Sequence, residues 1–212
     1  LRLSDALNGW EVRMTPNTAG TDLQIIEWVA GVQTVRASAD VDWGQPELLG
    51  NGGFETAGAG GADVFGTWTQ SAADGAIADE TTLVHAGGHA CKLTCGATIT
   101  NNRTRVLQDV TVTPGVTYTF TFWTRGDGTN AGCYRVHDVT NATELVAHDT
   151  STGVTGIDYA QVSATFTAPA GCTQVRVYCY PPTVNGGIAY FDDVSLKRTS
   201  AINHVRATAR GS

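Results

Sequence analysis

The sequence predicts an all-β protein, an antiparallel β-sandwich preceded by a short β-meander. The first observation is composition: Thr (31), Gly (25) and Val (21) dominate the 212 residues, whereas Leu (11) and Lys (2) are scarce. Such a chain is rich in strand and turn formers and poor in helix formers. The second observation is that apolar and polar residues alternate over many short segments separated by Gly or Pro, a pattern typical of strands.

The same composition excludes other classes of protein. Hydrophobic residues make up 42% of the chain and charged residues 16%, which is too apolar for a disordered chain. No segment approaches the roughly 20 apolar residues that a membrane helix needs, so no membrane contact is expected. The net charge of −7 argues against nucleic-acid binding through phosphate neutralisation.

The first 43 residues are predicted to form the meander. Turn pairs such as Asn8-Gly9 and Ala30-Gly31 separate segments in which apolar and polar residues roughly alternate. The predicted strands are Leu1–Ser4, Trp10–Thr15, Leu23–Val29 and Gln33–Ser38. Because four short strands leave exposed edges, we expect them to pair with upstream sequence, with the following domain or with another chain. A start at Leu1, already within a strand, predicts that the chain is part of a longer or processed polypeptide.

Residues 40–50 interrupt the alternation with Pro46 and two glycines, which predicts a boundary and a sandwich domain over residues 44–196. Alternation is strongest in residues 117–125, where Tyr118, Phe120 and Phe122 would share one face. Turns that contain Pro and Gly precede the later strands at a spacing typical of antiparallel sandwiches. Residues 197–212 carry four basic residues and no acid, which leaves −11 on the rest of the chain. This basic tail would either dock on a neighbouring subunit or remain solvated.

Six segments together resemble a known family. They are residues 49–55 (LGNGGFE), Trp68, residues 85–93 (HAGGHACKL), 112–120 (VTPGVTYTF), 165–169 (TFTAP) and 190–196 (YFDDVSL). In this order and spacing, residues 48–196 resemble the carbohydrate-binding modules of families 4, 9 and 22. The resemblance implies a β-jelly roll, a non-catalytic sugar-binding function and a core position for Trp68. The meander resembles the closing strands of a laminin-G or concanavalin-like sandwich, as in appendage proteins of bacteriophages.

The resemblance also implies a structural calcium ion at the edge of the sandwich, with Glu55 and Asp192 as carboxylate ligands. Calcium takes six to eight hard oxygen ligands, which carboxylates and backbone carbonyls supply. Strand parity supports Asp192: Val194 and Leu196 should face the core, so Asp192 should point the same way, and an inward carboxylate needs a partner. The alternative is that Asp192 accepts backbone N–H groups or pairs with an Arg.

The outward positions of the sandwich strands predict the sugar-binding face. These positions alternate along the strands with core positions such as Phe122, Val162 and Val177. Arg135 and His137 are likewise outward positions, on either side of the core residue Val136. The predicted binding residues are Trp123, Arg125, Tyr159, Gln161, Arg176, Tyr178 and Tyr180. If their strands share one sheet, as the family implies, these aromatic and polar side chains form one surface. That surface would be either a glycan cleft or an interface with the meander or another subunit.

The sequence predicts no enzyme, because its acids cluster in turns and it holds neither a pair of strand-borne carboxylates nor a nucleophile motif. The five cysteines would either form one or two disulfides or serve as small core residues. Two functions are therefore expected. The first is a module that attaches its parent protein or particle to a polysaccharide or cell-surface glycan. The second is an extracellular filament subunit or a virion decoration, tail or fibre subunit, contacting neighbours through residues 1–43 and the tail. Both place the protein outside the cell or on a virion surface.

Overall fold

The computed structural model describes residues 2–3, 8–14, 23–39, 45–100, 102–148 and 151–199. These residues form sixteen β-strands and no helix, so none of them belongs to a helix that could span a membrane. The strands are β1 (Arg2–Leu3), β2 (Gly9–Met14), β3 (Leu23–Val29), β4 (Val32–Ala39), β5 (Ala57–Gly60), β6 (Asp63–Phe65), β7 (Thr69–Ser71), β8 (Ala76–Glu80), β9 (Ala90–Thr94), β10 (Arg105–Thr111), β11 (Thr117–Arg125), β12 (Cys133–Asp138), β13 (Thr143–Val146), β14 (Ala160–Thr167), β15 (Gln174–Tyr180) and β16 (Ile188–Arg198). The all-β prediction is confirmed.

Strands β1 to β4 form an antiparallel sheet in chain order, which is the predicted meander. The expected strand Leu23–Val29 coincides with β3, and β4 extends one residue beyond the expected strand Gln33–Ser38 at each end. The expected strands Leu1–Ser4 and Trp10–Thr15 overlap β1 and β2, and their ends at Leu1, Ser4 and Thr15 lie outside the described residues. Trp10, Val29 and Val32 are exposed on this sheet. The basic tail from residue 200 onward lies outside the described residues.

The second compact unit, Pro46–Arg198, is a sandwich of two five-stranded antiparallel sheets. The front sheet has the strand order β13-β12-β15-β10-β7, and the back sheet has the order β14-β11-β16-β9-β8. A separate hairpin, β5-β6, precedes them. Neighbouring strands in both sheets are often distant in sequence, which alternation alone cannot reveal.

Alternating residues from both sheets form one core. In β11 every second residue is buried, among them Phe120 and Phe122, and the rings of Phe122 and front-sheet Tyr134 lie 5.0 Å apart between the sheets. Trp68 is 4% exposed and stacks on Phe54 at 5.1 Å, which confirms its predicted core position. All five cysteines are free and buried, so their interpretation as small core residues is confirmed.

The amino-terminal segment of the sandwich pairs with β16 where β9 has ended. Leu48 N–H donates to Leu196 O at 3.0 Å, and Val194 N–H donates to Gly52 O at 2.9 Å. Strand β16 also contains a β-bulge: Asp193 has a φ of +46°, and the register against β11 shifts between Thr121 and Trp123. The bulge therefore reverses the alternation: odd-numbered residues such as Phe191 face the core before it, and even-numbered residues such as Val194 face the core after it.

Candidate functional site

The structure divides the predicted sugar-binding residues between two faces of the sandwich. Trp123, Arg125 and Gln161 belong to back-sheet strands, and Tyr159 directly precedes one, whereas Arg176, Tyr178 and Tyr180 belong to β15 of the front sheet. The expectation that they share one sheet, and hence one surface, is wrong. Alternation determines on which side of its strand a residue lies, but the strand order of the jelly roll decides which sheet contains that strand.

On the back sheet, the cap loop (residues 81–89) lies against the predicted aromatic residues. The His85 ring stacks on Trp123 with centroids 3.9 Å apart and an angle of 13° between the planes. The Tyr159 hydroxyl donates a hydrogen bond of 2.9 Å to Leu83 O. Trp123 therefore presents one ring face to a residue of the same chain, which reduces the surface available for stacking on a sugar.

Two carboxylates hold the cap loop by accepting backbone hydrogen bonds. Asp192 Oδ2 accepts from His85 N–H at 2.8 Å and Ala86 N–H at 3.2 Å. Glu55 accepts from Gly88 N–H, at 3.0 Å to Oε1. Asp192 is completely buried, and burial raises its pKa, although these N–H groups counteract the effect. The alternative role considered for Asp192, a carboxylate that accepts backbone N–H groups, is present in the structure.

The predicted inward direction of Asp192 is wrong, because the bulge at Asp193 reverses the alternation of side chains along β16. Asp192 pairs with Trp123 and so lies on the outer side of the back sheet, beneath the cap loop. Glu55 and Asp192 nevertheless lie in one neighbourhood: a Cβ at Gly53 would be 3.7 Å from Glu55 Cγ and 4.0 Å from Asp192 Oδ1. Among the described residues, no three His, Cys, Asp or Glu side chains form a group that could hold a metal ion.

The front sheet presents a row of polar side chains across four strands, three of them Asp, Glu or Arg, which we call the charged row: Glu144, His137, Arg176 and Asp109. Arg176 donates to Asp109 through Nε and Nη2, the latter at 2.7 Å, and these bonds raise the pKa of Arg176. Arg135 forms the same kind of bidentate pair with Glu144, through Nε and Nη2, and its Nη2 also donates to His137 Nδ1 at 3.1 Å. The side chains of Arg176 and Asp109 are 33% and 35% exposed, so they can contact a ligand.

Beside the charged row, two tyrosines stack between two arginines. The rings of Tyr178 and Tyr180 are 5.4 Å apart and nearly parallel, with Arg135 Cζ 5.0 Å from the first ring and Arg103 Cζ 4.7 Å from the second. Tyr178 is 7% exposed and Tyr180 is completely buried. Burial raises the pKa of Tyr180 to about 12. Both rings are therefore poor platforms for a sugar, and the polar groups around them are the accessible part of this face.

Arg103 joins three loops at the end of the stack. It is completely buried, and its Nε donates to Pro181 O at 3.0 Å while Nη1 donates to Thr100 O at 3.3 Å. Nη1 also contacts His148 Nε2 within hydrogen-bonding distance. Burial lowers the pKa of Arg103. We interpret Arg103 as a structural residue that fixes the loops beside the front face.

Asp109 and Glu144 were not predicted as binding residues, and residues 85–89 of the cap loop entered the prediction only as part of the family pattern. Asp109 lies in the part of β10, residues 108–111, where buried and exposed residues alternate, but its pairing with Arg176 depends on the neighbouring positions of β10 and β15. Contact between His85 and Trp123 depends on a loop conformation and has no signal in the local sequence.

Solved structures with a similar fold include several sugar-binding modules. The structure of TmCBM61 in complex with β-1,4-galactotriose is 18% identical, with a TM-score of 0.52 over 73% of this chain and 99% of its own. The CBM22-1 xylan-binding domain of Paenibacillus barcinonensis Xyn10C is 13% identical, with a TM-score of 0.55 over 74% of this chain and 97% of its own. Tailspike protein 4 of bacteriophage CBA120 is 14% identical, with a TM-score of 0.51 over 72% of this chain and 21% of its own.

At these identities the similarities show the fold alone. No curated protein sequence matches the chain. The family comparison is more specific, because residues 46–185 match the carbohydrate binding domain CBM_4_9, which covers most of the sandwich together with the motif NGGFE. The chain thus belongs to the CBM_4_9 carbohydrate binding domain family and is a non-catalytic carbohydrate-binding module.

Proposed function

We propose that the outer face of the front sheet binds the polysaccharide, through Arg176 and the other members of the charged row. The observation that carries this proposal is the contrast between the two faces. Arg176 and Asp109 are held by each other and remain about one-third exposed, whereas Trp123 on the back sheet stacks on His85 of the cap loop. Tyr180, also predicted as a binding residue, is buried and supports Tyr178.

Recognition on this face relies on hydrogen bonds more than on ring stacking. The paired guanidinium and carboxylate groups of Arg176 and Asp109 offer donors and acceptors in a fixed geometry, which suits the hydroxyl groups of a sugar. Similarity to modules whose structures contain β-1,4-galactotriose or are described as xylan-binding suggests β-linked polysaccharides as ligands. Xylan and β-1,4-galactan are therefore the first polysaccharides to test.

Isothermal titration calorimetry with xylan and galactan oligosaccharides tests the assignment of the face. Removing a hydrogen bond to a charged group costs about 1.5–3 kcal/mol, so Arg176→Ala should weaken binding roughly 10- to 150-fold. Gln161→Ala is the matched control, because Gln161 is an exposed polar residue on the back sheet. Binding that survives Arg176→Ala but is lost in Gln161→Ala or Trp123→Ala would place the ligand on the back sheet and refute the proposal.

A structural calcium ion at Glu55 and Asp192 is the finer part of this proposal. Its support is the proximity of the two carboxylates around Gly53. The chemistry of oxygen ligands fits, although backbone N–H groups of the cap loop use several of the same oxygens. Adding calcium to protein from which EDTA has first removed metal ions should raise the melting temperature. The variant Glu55→Gln should show no such rise. Equal melting curves with calcium and with EDTA would exclude the ion.

We further propose that the chain consists of a meander over residues 1–43, the binding domain over residues 44–196 and a basic tail over residues 197–212. We also propose that the parent protein acts outside the cell. A virion or filament subunit remains the second candidate function, favoured by the apolar side chains Trp10, Val29 and Val32 on the meander, which are 46%, 55% and 64% exposed. Sedimentation equilibrium of the full chain separates the candidates. A monomer that binds glycan supports a module alone, whereas an oligomer supports subunit contacts.

A further inference from the structure

We propose a second binding site, on the outer face of the back sheet, that takes the anionic group of an acidic sugar. The site is the cationic row, defined as Arg125, Tyr190 and Lys92, which are paired across the neighbouring strands β11, β16 and β9. Its ligand would be a polysaccharide whose sugars carry a carboxylate or a sulfate ester. This inference goes beyond the front face, which the proposed function uses for sugar hydroxyl groups.

Two positive side chains approach the same ring in the cationic row. Arg125 Cζ lies 4.9 Å and Lys92 Nζ 5.6 Å from the centroid of Tyr190. Tyr190 is only 7% exposed, so its ring forms a floor between the two cations. Because neighbouring strands lie about 4.8 Å apart, an anion above this floor is within reach of both long side chains.

Arg125 Nε is buried and has no hydrogen-bond partner among the described residues. The arginines of the front sheet differ, since Arg135 and Arg176 each bind a carboxylate through two nitrogens. A guanidinium has five donors in a planar arrangement that matches a carboxylate or a similar oxyanion. An anionic ligand above the Tyr190 ring would supply acceptors for the remaining guanidinium donors of Arg125.

The acids near the cationic row bind the cap loop. Glu80 Oε1 accepts hydrogen bonds from Thr82 N–H at 3.0 Å and Leu83 N–H at 3.2 Å, and its other oxygen is 4.0 Å from Lys92 Nζ. Asp192, on the same outer side of the back sheet, likewise accepts hydrogen bonds from His85 N–H and Ala86 N–H of the cap loop. Both carboxylates are therefore engaged by backbone N–H groups, and Arg125 and Lys92 are the side chains of the row that can bind an anion.

The row is open to a ligand. The Lys92 side chain is 32% exposed, and Arg125 is partly exposed. Tyr159 stands beside the row, and its hydroxyl is bound to Leu83 O. Leu83 is itself 38% exposed, so it offers an apolar contact next to the cations. A polar anion-binding group beside an apolar contact suits a sugar residue that carries an acidic substituent.

Calorimetry with polygalacturonate and with the same polymer after reduction of its carboxyl groups tests the proposal. We expect the acidic polymer to bind at least about tenfold more tightly than the reduced form, and Arg125→Gln to remove most of this difference. Dextran sulfate compared with dextran tests a sulfate ester as the anionic group. Lys92→Met is a second variant of the site in case Arg125→Gln does not fold, as judged from its circular dichroism.

Lys197→Gln is the matched control, because it removes one exposed positive charge from β16, the strand that also contains Tyr190. The two residues are seven positions, or about 23 Å, apart along this strand. Retained binding in Lys197→Gln together with loss in Arg125→Gln establishes the site. Equal losses in both variants would show attraction by overall charge and overturn the proposal. So would the absence of any preference for either acidic polymer. The front face is tested separately, since Arg176→Ala should leave the preference for acidic polymer intact.

Discussion

Gly52 lies where the amino-terminal segment of the sandwich meets β16, and the structure leaves no room there for a methyl group. A Cβ at Gly52 would lie 2.0 Å from the carbonyl oxygen of Val194 and 3.1 Å from its carbonyl carbon. Val194 N–H also donates a hydrogen bond of 2.9 Å to Gly52 O. Because the obstructing atoms belong to the backbone of a central strand, they cannot move aside as a side chain could. We expect Gly52→Ala to force this segment away from β16.

The magnitude follows from the two interactions that change. Overpacking costs about 1–3 kcal/mol, and loss of the backbone hydrogen bond costs about 0.5–1.5 kcal/mol. A total near 2–4 kcal/mol lowers the melting temperature of a domain of this size by roughly 4–16 °C, since each kcal/mol corresponds to about 2–4 °C. Differential scanning calorimetry of the full chain measures this shift.

Gly156→Ala provides the control for Gly52→Ala. A Cβ at Gly156 meets no atom within 4 Å, and its φ lies outside the left-handed region. The control should therefore melt within about 2 °C of the unmodified protein. If Gly52→Ala also melts within that range, the close approach to Val194 does not constrain the sandwich and the reasoning is refuted.

Three further predictions concern charge, thiols and the core. Burial acts to raise the pKa of Asp127, but hydrogen bonds from N–H groups such as those of Asn130 outweigh burial and hold the pKa at about 2. Because this is below the unfolded value of about 3.9, ionised Asp127 stabilises the folded protein above pH 4, and this stabilisation is lost as the pH falls toward 2. Asp127→Asn should therefore flatten that part of a plot of melting temperature against pH. Burial raises the pKa of Cys91 and Cys179, so both thiols should resist iodoacetamide at about pH 8 until denaturant unfolds the chain, and modification of the native protein would contradict this. Phe122→Ala should lower the free energy of unfolding by about 3–5 kcal/mol in urea titrations, because its buried ring contacts aromatic rings of both sheets; a change below about 1 kcal/mol would contradict that role.

Much of the fold was predictable because strand formation here depends on local patterns. In β11 the burial alternates residue by residue, as the printed sequence suggests, and Leu23–Val29 was predicted with the bounds of β3. Trp68 was placed in the core by its position in the family pattern. The candidate site was less predictable: the outward parity of Trp123 and Tyr178 was readable, whereas their separation on two sheets was not.

Composition and alternation were thus sufficient to establish an all-β sandwich and, with the spacing of NGGFE and FDDVSL, the family of the chain. Both are properties of residues near one another in sequence. The division of the predicted site between two sheets, and the contact of His85 with Trp123, depend on the strand order and on a loop conformation. The direction of Asp192 depends on the bulge at Asp193, a change in one backbone angle that reverses parity without any signal in the alternation itself. These features arise from contacts between segments distant in sequence, so only the tertiary structure decides them.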